Sequence, residues 1–120
     1  MATTGKVRNL NFVNKNQSSD REGDVYIRIN GKGRLNGNIS FRFESWEKIT
    51  KGNYIQFAVS GNRMYFTESN ATVGYKLGQE GKNQRVVKTA DETTMGWILK
   101  NKGDYPLLYD ATEELYYIER

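Results

Sequence analysis

The chain has 120 residues, which predicts a single domain spanning residues 1–120, and its 18 Lys and Arg against 14 Asp and Glu give a mildly basic net charge of +4. It contains no Cys and no His, which excludes a disulfide framework, a thiolate metal site and the commonest zinc ligand and general base. No apolar run has the length of a membrane span and the N-terminus lacks the apolar stretch of a signal peptide, so we expect a soluble cytoplasmic protein with no membrane contact.

The first half of the chain alternates apolar and polar residues at period two, the pattern of half-buried strands. The Gly-Asn pair of Ser60–Arg63 tolerates positive φ and predicts a hairpin turn. Ile39, Phe41 and Phe43 are predicted to point inward. The predicted elements of this half are strands at Lys6–Val13, Asp24–Asn30, Asn38–Glu44, Tyr54–Ser60 and Met64–Glu68, connections at Asn14–Gly23 and Gly31–Gly37, and one helical turn at Ser45–Thr50.

The second half contains the best predicted helix, Asp91–Lys100, in which Asp91 is a candidate N-cap and apolar residues follow at helical spacing. Pro106, the only proline, favours an edge position for the strand in which it falls. The other predicted elements are strands at Thr72–Leu77, Arg85–Thr89, Tyr105–Tyr109 and Leu115–Ile118 and a polar loop at Gln79–Gln84. The fold class predicted is therefore mainly β, a small OB-like barrel of five or more short strands with one or two short helices.

A weak internal repeat relates residues 34–69 to residues 85–120. Shifting the chain by 51 residues places Trp46 on Trp97 and aligns Lys51-Gly52-Asn53-Tyr54 with Lys102-Gly103-Asp104-Tyr105. A true duplication would give the fold two related halves. Two similar turn–helix–hairpin segments without common origin would give the same pattern, and both interpretations stay open.

The candidate site is a set of rings and basic side chains on the outward positions of the predicted strands. Such a face is suited to stacking of unpaired bases and to phosphate contacts, although cross-strand packing alone also places Tyr and Arg there. The glycine-rich segment Gly31–Gly37 adds a basic finger. The predicted nucleic-acid-binding residues are Tyr26, Arg28, Lys32, Arg34, Arg42, Tyr54, Gln56, Arg63 and Tyr65. Trp46 and Trp97 are predicted to fill the core.

The carboxylates are scattered, and no spacing pairs them with a base or gathers them into a metal cluster. The Ser and Thr hydroxyls have no His partner. We therefore expect no enzymatic activity, no cofactor and no metal site.

The run FRFESWEKI, the segment Thr50–Tyr54 and the turn at Gly61 together resemble bacterial single-stranded-DNA-binding proteins of the OB fold. The small size and the lack of His and Cys also resemble an early replication or recombination protein of a bacteriophage. The resemblance implies a five-stranded barrel that binds single-stranded DNA without sequence preference, in the host bacterial cytoplasm, with replication or recombination proteins as further partners.

The segment from Gly33 to Phe66 is also similar to swapped-hairpin transcription factors of the AbrB/MazE type, whose pattern is a strand, a short helix and two strands around a Gly turn. The 51-residue repeat would suit a fused pair of such units, with duplex DNA as partner. A third hypothesis is a phage-encoded inhibitor that binds a host protein through Tyr and Trp anchors. Exposed strand edges leave a homodimer open.

Overall fold

The computed structural model describes residues 23–31 and 35–120, which form two antiparallel sheets, one short 3-10 helix and one α-helix. The strands are β1 Val25–Asn30, β2 Asn36–Phe41, β3 Tyr54–Ser60, β4 Arg63–Glu68, β5 Tyr75–Lys76, β6 Gly78–Gln79, β7 Arg85–Thr89, β8 Gly103–Tyr105, β9 Leu108–Asp110 and β10 Leu115–Glu119. The 3-10 helix is Ser45–Lys48 and helix α1 is Glu92–Lys100. The predicted strand Lys6–Val13, residues 14–22 and the predicted site residues Lys32 and Arg34 lie outside the described residues.

The mainly-β prediction is confirmed, but the strands form two five-stranded sheets. The first sheet has the order β6-β7-β2-β1-β8, and the second has the order β5-β3-β4-β10-β9. No strand pairing joins the two sheets among residues 23–31 and 35–120, so a closed barrel is not seen in this part of the chain. The sheets contact each other through apolar side chains instead of through backbone hydrogen bonds.

The core lies between the inward faces of the two sheets. Ile27 and Phe41 from the first sheet and Met64 and Phe66 from the second are buried to 1% exposure or less. The rings of Phe41 and Phe66 meet edge to face at 5.2 Å, which joins the sheets by the arrangement that aromatic quadrupoles favour. Period-two alternation therefore produces the core that it predicts.

Helix α1 begins where the sequence predicts. The Asp91 carboxylate accepts a hydrogen bond from the Thr94 backbone N–H at 3.0 Å, which satisfies one of the free donors of the first turn. Ile98 is fully buried and lies against β2, where a Cβ added to Gly37 would come within 2.5 Å of Ile98 Cδ1. The absence of a side chain at Gly37 therefore lets the helix pack closely on the first sheet.

Both tryptophans are core residues, as predicted. Trp46 and Trp97 are each 8% exposed. The Trp97 indole N–H donates to the Gly61 carbonyl at 2.9 Å, so it ties α1 to the β3–β4 turn. The Arg85 guanidinium lies 4.6 Å from the centre of the Trp46 ring system.

Three predicted strands have bounds that differ from the structure by more than one residue. The predicted strand Asn38–Glu44 is β2, which starts at Asn36 and ends at Phe41. Phe43 then adopts φ 54° and is 63% exposed, so its inward assignment is wrong. The predicted strand Tyr105–Tyr109 is divided at Pro106, where the chain passes from β8 in the first sheet to β9 in the second. The predicted strand Thr72–Leu77 is reduced to β5, and Gln79 of the predicted loop belongs to β6.

The strand pairings are related by the same offset of 51 residues. Adding 51 to the β3–β4 pair Val59 opposite Met64 gives the β9–β10 pair Asp110 opposite Leu115. The β3–β5 pair Tyr54 opposite Lys76 corresponds to the β8–β1 pair Tyr105 opposite Val25, because 51 is added to Tyr54 and subtracted from Lys76. The hairpin β6–β7 departs from this relation. Adding 51 to the β1–β2 pair Ile27 opposite Ile39 gives residues 78 and 90, but Gly78 is opposite Val86.

Two further pairings join each strand to its own counterpart. In β2–β7, Asn38 is opposite Lys88 and Gly37 is opposite Thr89, and the offset converts the first pair into the second. In β4–β10, Tyr65 opposite Tyr117 and Phe66 opposite Tyr116 are related in the same way. Each sheet therefore has a central antiparallel pair made of counterpart strands.

Candidate nucleic-acid interface

The predicted site residues that are described lie on two different sheets. Tyr26 and Arg28 are on β1 and Arg42 follows β2, all at the first sheet. The others lie on the second sheet, on β3 and β4, and are Tyr54, Gln56, Arg63 and Tyr65. The 3-10 helix between β2 and β3 carries the chain from one sheet to the other, so the set does not form a single face.

On the first sheet, Arg28 is part of a hydrogen-bonded network. Its guanidinium forms an ion pair with Glu80 at 2.7 Å and donates to the Ser40 hydroxyl at 3.1 Å. Glu80 also accepts from Ser40 and from Gln84, each at 2.8 Å. Burial acts to raise the pKa of Glu80, but these hydrogen bonds and the charge of Arg28 outweigh it and lower the pKa below its usual value. A phosphate group at Arg28 would have to compete with this carboxylate.

Arg42 does not lie on an exposed face, so its predicted outward orientation is wrong. Its side chain is 6% exposed, forms an ion pair with Asp104 of β8 and donates to the Gly23 carbonyl at 3.1 Å. The cause is local: β2 ends at Phe41, and Phe43 and Glu44 take positive φ, which turns the chain away from the strand direction. Arg42 is therefore the first residue after the strand, so the alternation of inward and outward side chains no longer determines where it points.

The ring of Tyr26 is close to both arginines of the first sheet. The guanidinium carbon of Arg42 is 4.8 Å from the centre of its ring, and that of Arg28 is 5.7 Å away. Cation–π contacts of this kind hold the ring and the charges in fixed positions. Tyr26 is therefore packed into the network and is half-buried.

On the second sheet, the predicted residues share one outward face with a ring that the sequence analysis missed. Tyr65 is opposite Ala58 on β3 and opposite Tyr117 on β10, and the two tyrosine rings are 5.6 Å apart. Gln56 is exposed on the same side of β3. Alternation in the predicted strand Leu115–Ile118 gives the side of the strand on which Tyr117 lies. It does not show that this strand is paired with β4, because that pairing is a long-range contact.

Arg63 belongs to this face but its charge is balanced. Its guanidinium forms ion pairs with Asp110 at 2.9 Å and Glu119 at 3.4 Å and lies 4.2 Å from the centre of the Tyr117 ring. Its hydrogen bond to the Tyr65 hydroxyl, with a further contribution from Glu119, raises the pKa of Arg63. Backbone N–H groups of Glu113 and Thr112, together with Arg63, lower the pKa of Asp110. This face therefore offers aromatic rings to a ligand, whereas the positive charge of Arg63 is neutralised by Asp110 and Glu119.

A shallow depression of about 250 Å³ lies beside these rings. Tyr65, Ala58, Thr67 and Leu115 are among the residues that line it. It is small enough to accept one flat ring, and its walls are mostly apolar. We call the surface formed by Tyr54, Gln56, Arg63, Tyr65 and Tyr117 the tyrosine face.

Within residues 23–31 and 35–120, no group of three or more Asp and Glu side chains is placed to hold a metal ion. In the same part of the chain, no helix is both long and apolar enough to cross a membrane. The arrangements that the described residues do offer are ring surfaces and ion-paired arginines.

No protein-family model, no curated protein and no solved structure matches this chain. The assignment of a site therefore rests on the geometry of the described residues and on the sequence patterns that led to them.

Proposed function

We propose that this protein binds duplex DNA and has two related halves, as a fused pair of swapped-hairpin units of the AbrB/MazE type would. The observation that carries the proposal is the common offset of 51 residues in four of the strand pairings. Counterpart strands pair with each other at the centre of both sheets, which is what an approximate two-fold axis through the molecule produces. Duplex DNA has two-fold symmetry of its own, and two-fold proteins use it to place equivalent contacts on two half-sites.

The hairpin connections before β2 and β7 are the best candidates for these contacts, although the β1–β2 and β6–β7 pairings are the two that the offset does not relate. Both are five residues long, residues 31–35 and residues 80–84. The second connection contains the exposed Lys82, and the sequence of the first contains Lys32 and Arg34. Because β2 and β7 run antiparallel, their N-terminal ends lie at opposite ends of the same ladder. The two connections therefore join the first sheet at opposite ends of the β2–β7 ladder.

The test is a titration of the protein into a fluorescent random-sequence duplex and into oligo-dT, each at two salt concentrations. Duplex should bind more tightly, and its affinity should fall with salt because counterions are released from the phosphates. Lys82→Ala should weaken duplex binding and flatten the salt dependence. Lys88→Ala, an exposed lysine on β7 outside both connections, is the matched control. Tighter binding to oligo-dT, or no binding to either DNA, would contradict the proposal.

A second candidate is sequence-independent binding of single-stranded DNA at the tyrosine face, without need for a closed barrel. Its support is that Tyr54, Gln56, Arg63 and Tyr65 lie on one side of the second sheet, with Tyr117 beside them. Base stacking on an exposed ring contributes about 1–3 kcal/mol for each base. Tyr65→Ala and Tyr117→Ala should therefore weaken oligo-dT binding by that amount and leave duplex binding unchanged. Equal losses for both DNA forms would reject this candidate.

A further inference from the structure

A cleft of about 670 Å³ lies between helix α1, the β3–β4 turn and the C-terminal end of β10. Thr93, Gly96, Trp97 and Lys100 line it from one face of the helix, at the spacing i, i+3, i+4, i+7. Thr94 and Ile98, which are buried, pack on the sheets from the other side of the helix. The cleft is therefore the space beside the one face of α1 that the sheets leave open.

The walls of the cleft are fixed by hydrogen bonds. The Trp97 indole N–H donates to the Gly61 carbonyl at 2.9 Å, and the Arg120 backbone N–H donates to the Asn62 carbonyl at 3.0 Å. The Asn101 side chain, which is 8% exposed, donates to the Trp97 carbonyl at 2.9 Å. The turn, the helix and the chain end at Arg120 are thus connected to each other around the opening.

The charged side chains that line the cleft are both positive. In the described part of the chain they are Lys100 and Arg120, and neither Asp nor Glu lines the cleft. Burial raises the pKa of the Tyr105 hydroxyl, and the positive charge of Arg120 opposes this in part. Tyr105 donates to the Asn101 carbonyl.

Two glycines leave the interior of the cleft open. A Cβ built on Gly96 or on Gly61 would meet nothing within 4 Å. Glycine in the middle of a helix is less favourable than alanine. Close packing does not explain the glycine at position 96, because no neighbouring atom would contact a Cβ there. The opening beside Gly96 is therefore free volume, which a side chain introduced there would occupy.

We propose that this cleft binds a small phosphorylated ligand of mononucleotide size, with the phosphate at Lys100 and Arg120 and a flat ring beside Val59 and Trp97. The volume is within the range of roughly 300–1,000 Å³ that is typical of small-molecule sites. Lysine and arginine are the side chains that hold phosphate by charge-assisted hydrogen bonds. The site is independent of the proposed DNA contacts, because none of the residues assigned to those contacts lines it.

The test is an NMR titration of the ¹⁵N-labelled protein with ADP, with adenosine and with inorganic phosphate. ADP should give saturable shifts of the Gly61, Gly96 and Trp97 indole signals in the millimolar range or below. Adenosine should bind at least roughly tenfold more weakly, since it lacks the charged hydrogen bonds. Inorganic phosphate should shift the signals near Lys100 and Arg120 alone. Absence of saturable shifts with ADP, or equal affinity for adenosine, would overturn the proposal.

Variants locate the binding in the cleft. Gly96→Leu should abolish the ADP shifts with an unchanged fold, because leucine favours the helix and finds open space. Lys100→Gln and Arg120→Gln should each weaken ADP binding about tenfold, and they keep the test decisive if Gly96→Leu does not fold. Lys88→Gln, an exposed lysine outside the cleft, is the matched control. ADP binding that survives all three cleft variants would refute the site.

Discussion

At the scale of single residues, Arg42 shows how burial changes the role of a charged side chain. Its guanidinium is 6% exposed and forms an ion pair with Asp104, whose side chain is 18% exposed. One of its nitrogens, Nε, is buried without a hydrogen-bond partner. Such a side chain contributes to the connection between the end of β2 and β8 and is largely shielded from solvent.

Arg42→Ala should therefore lower the free energy of unfolding by about 3–5 kcal/mol, because it leaves the Asp104 carboxylate without its counter-ion in a largely buried position. Urea denaturation measures this loss. The double variant with Asp104→Ala should cost less than the sum of the two single variants, as expected for side chains in contact. A variant that keeps wild-type stability and loses only the salt dependence of DNA binding would contradict this assignment and restore Arg42 as a phosphate contact.

Glu80 gives a prediction about pH. Its pKa is lower in the folded protein than the usual 4.5, because the hydrogen bonds from Arg28, Gln84 and Ser40 outweigh the effect of burial. A carboxyl group with a lowered pKa contributes stability above its unfolded pKa and loses that contribution as the pH falls through the folded pKa. The melting temperature should therefore drop below about pH 4.5, and Glu80→Gln should make this drop smaller.

The measurement is thermal unfolding of the wild type and of Glu80→Gln at several pH values between 7 and 3. Glu113→Gln is the control, because Glu113 is exposed on the turn before β10. At pH 7, Glu80→Gln should already be less stable than the wild type. An identical pH profile for the wild type and Glu80→Gln would show that the network around Glu80 does not contribute to stability.

At the scale of elements, the contact between α1 and β2 depends on the absence of a side chain at Gly37. A Cβ there would lie 2.5 Å from Ile98 Cδ1 and 3.0 Å from Met95 Sδ. Gly37→Ala should destabilise the protein by about 1–3 kcal/mol through overpacking, and Ile98→Val in the same chain should recover part of the loss. Gly96→Ala is the matched control and should be stabilising by about 1 kcal/mol, since alanine is a better helix former and meets nothing there. Denaturant unfolding of the wild type and of these three variants checks both signs, and a neutral Gly37→Ala would contradict the close contact.

The elements that the sequence predicted well are those with local signals. Tyr54–Ser60 and Arg85–Thr89 have the predicted bounds, and α1 starts beside its predicted cap Asp91. Alternation, a Gly-Asn turn and a capping carboxylate all act within a few residues. The positive φ values of Phe43 and Glu44 have no such signal, so the end of β2 and the orientation of Arg42 could not be predicted.

The division into two sheets also has no local signal. β2 is paired with β7, which lies about fifty residues later, and β4 is paired with β10 across a similar separation. Period-two patterns state which residues of a strand point inward but not which strands are neighbours. For that reason the outward positions of Tyr54, Gln56, Arg63 and Tyr65 on the second sheet could be predicted from the sequence. The expectation that they share one face with residues of the first sheet is wrong.

At the scale of the whole molecule, the positive charge is unevenly distributed along the chain. Residues 23–31 and 35–120 contain twelve Lys and Arg and twelve Asp and Glu, so the net charge of +4 comes from residues 1–22 and 32–34. On the described residues, Arg28, Arg42 and Arg63 are all ion-paired with carboxylates. Long-range attraction to an anionic partner must therefore come mainly from the basic side chains of residues 1–22 and 32–34.

This distribution predicts different results for two sets of four substitutions to Gln. Changing Lys6, Arg8, Lys32 and Arg34 should weaken DNA binding strongly and reduce the slope of log K against log salt by about 0.9 for each phosphate contact that is lost. Changing the exposed Lys48, Lys76, Lys88 and Lys102 removes the same formal charge and should reduce the slope much less. Fluorescence anisotropy with labelled duplex at several salt concentrations measures both slopes. Because the two proteins have equal net charge, equal slopes would mean that net charge alone governs binding and that no particular basic segment carries the phosphate contacts.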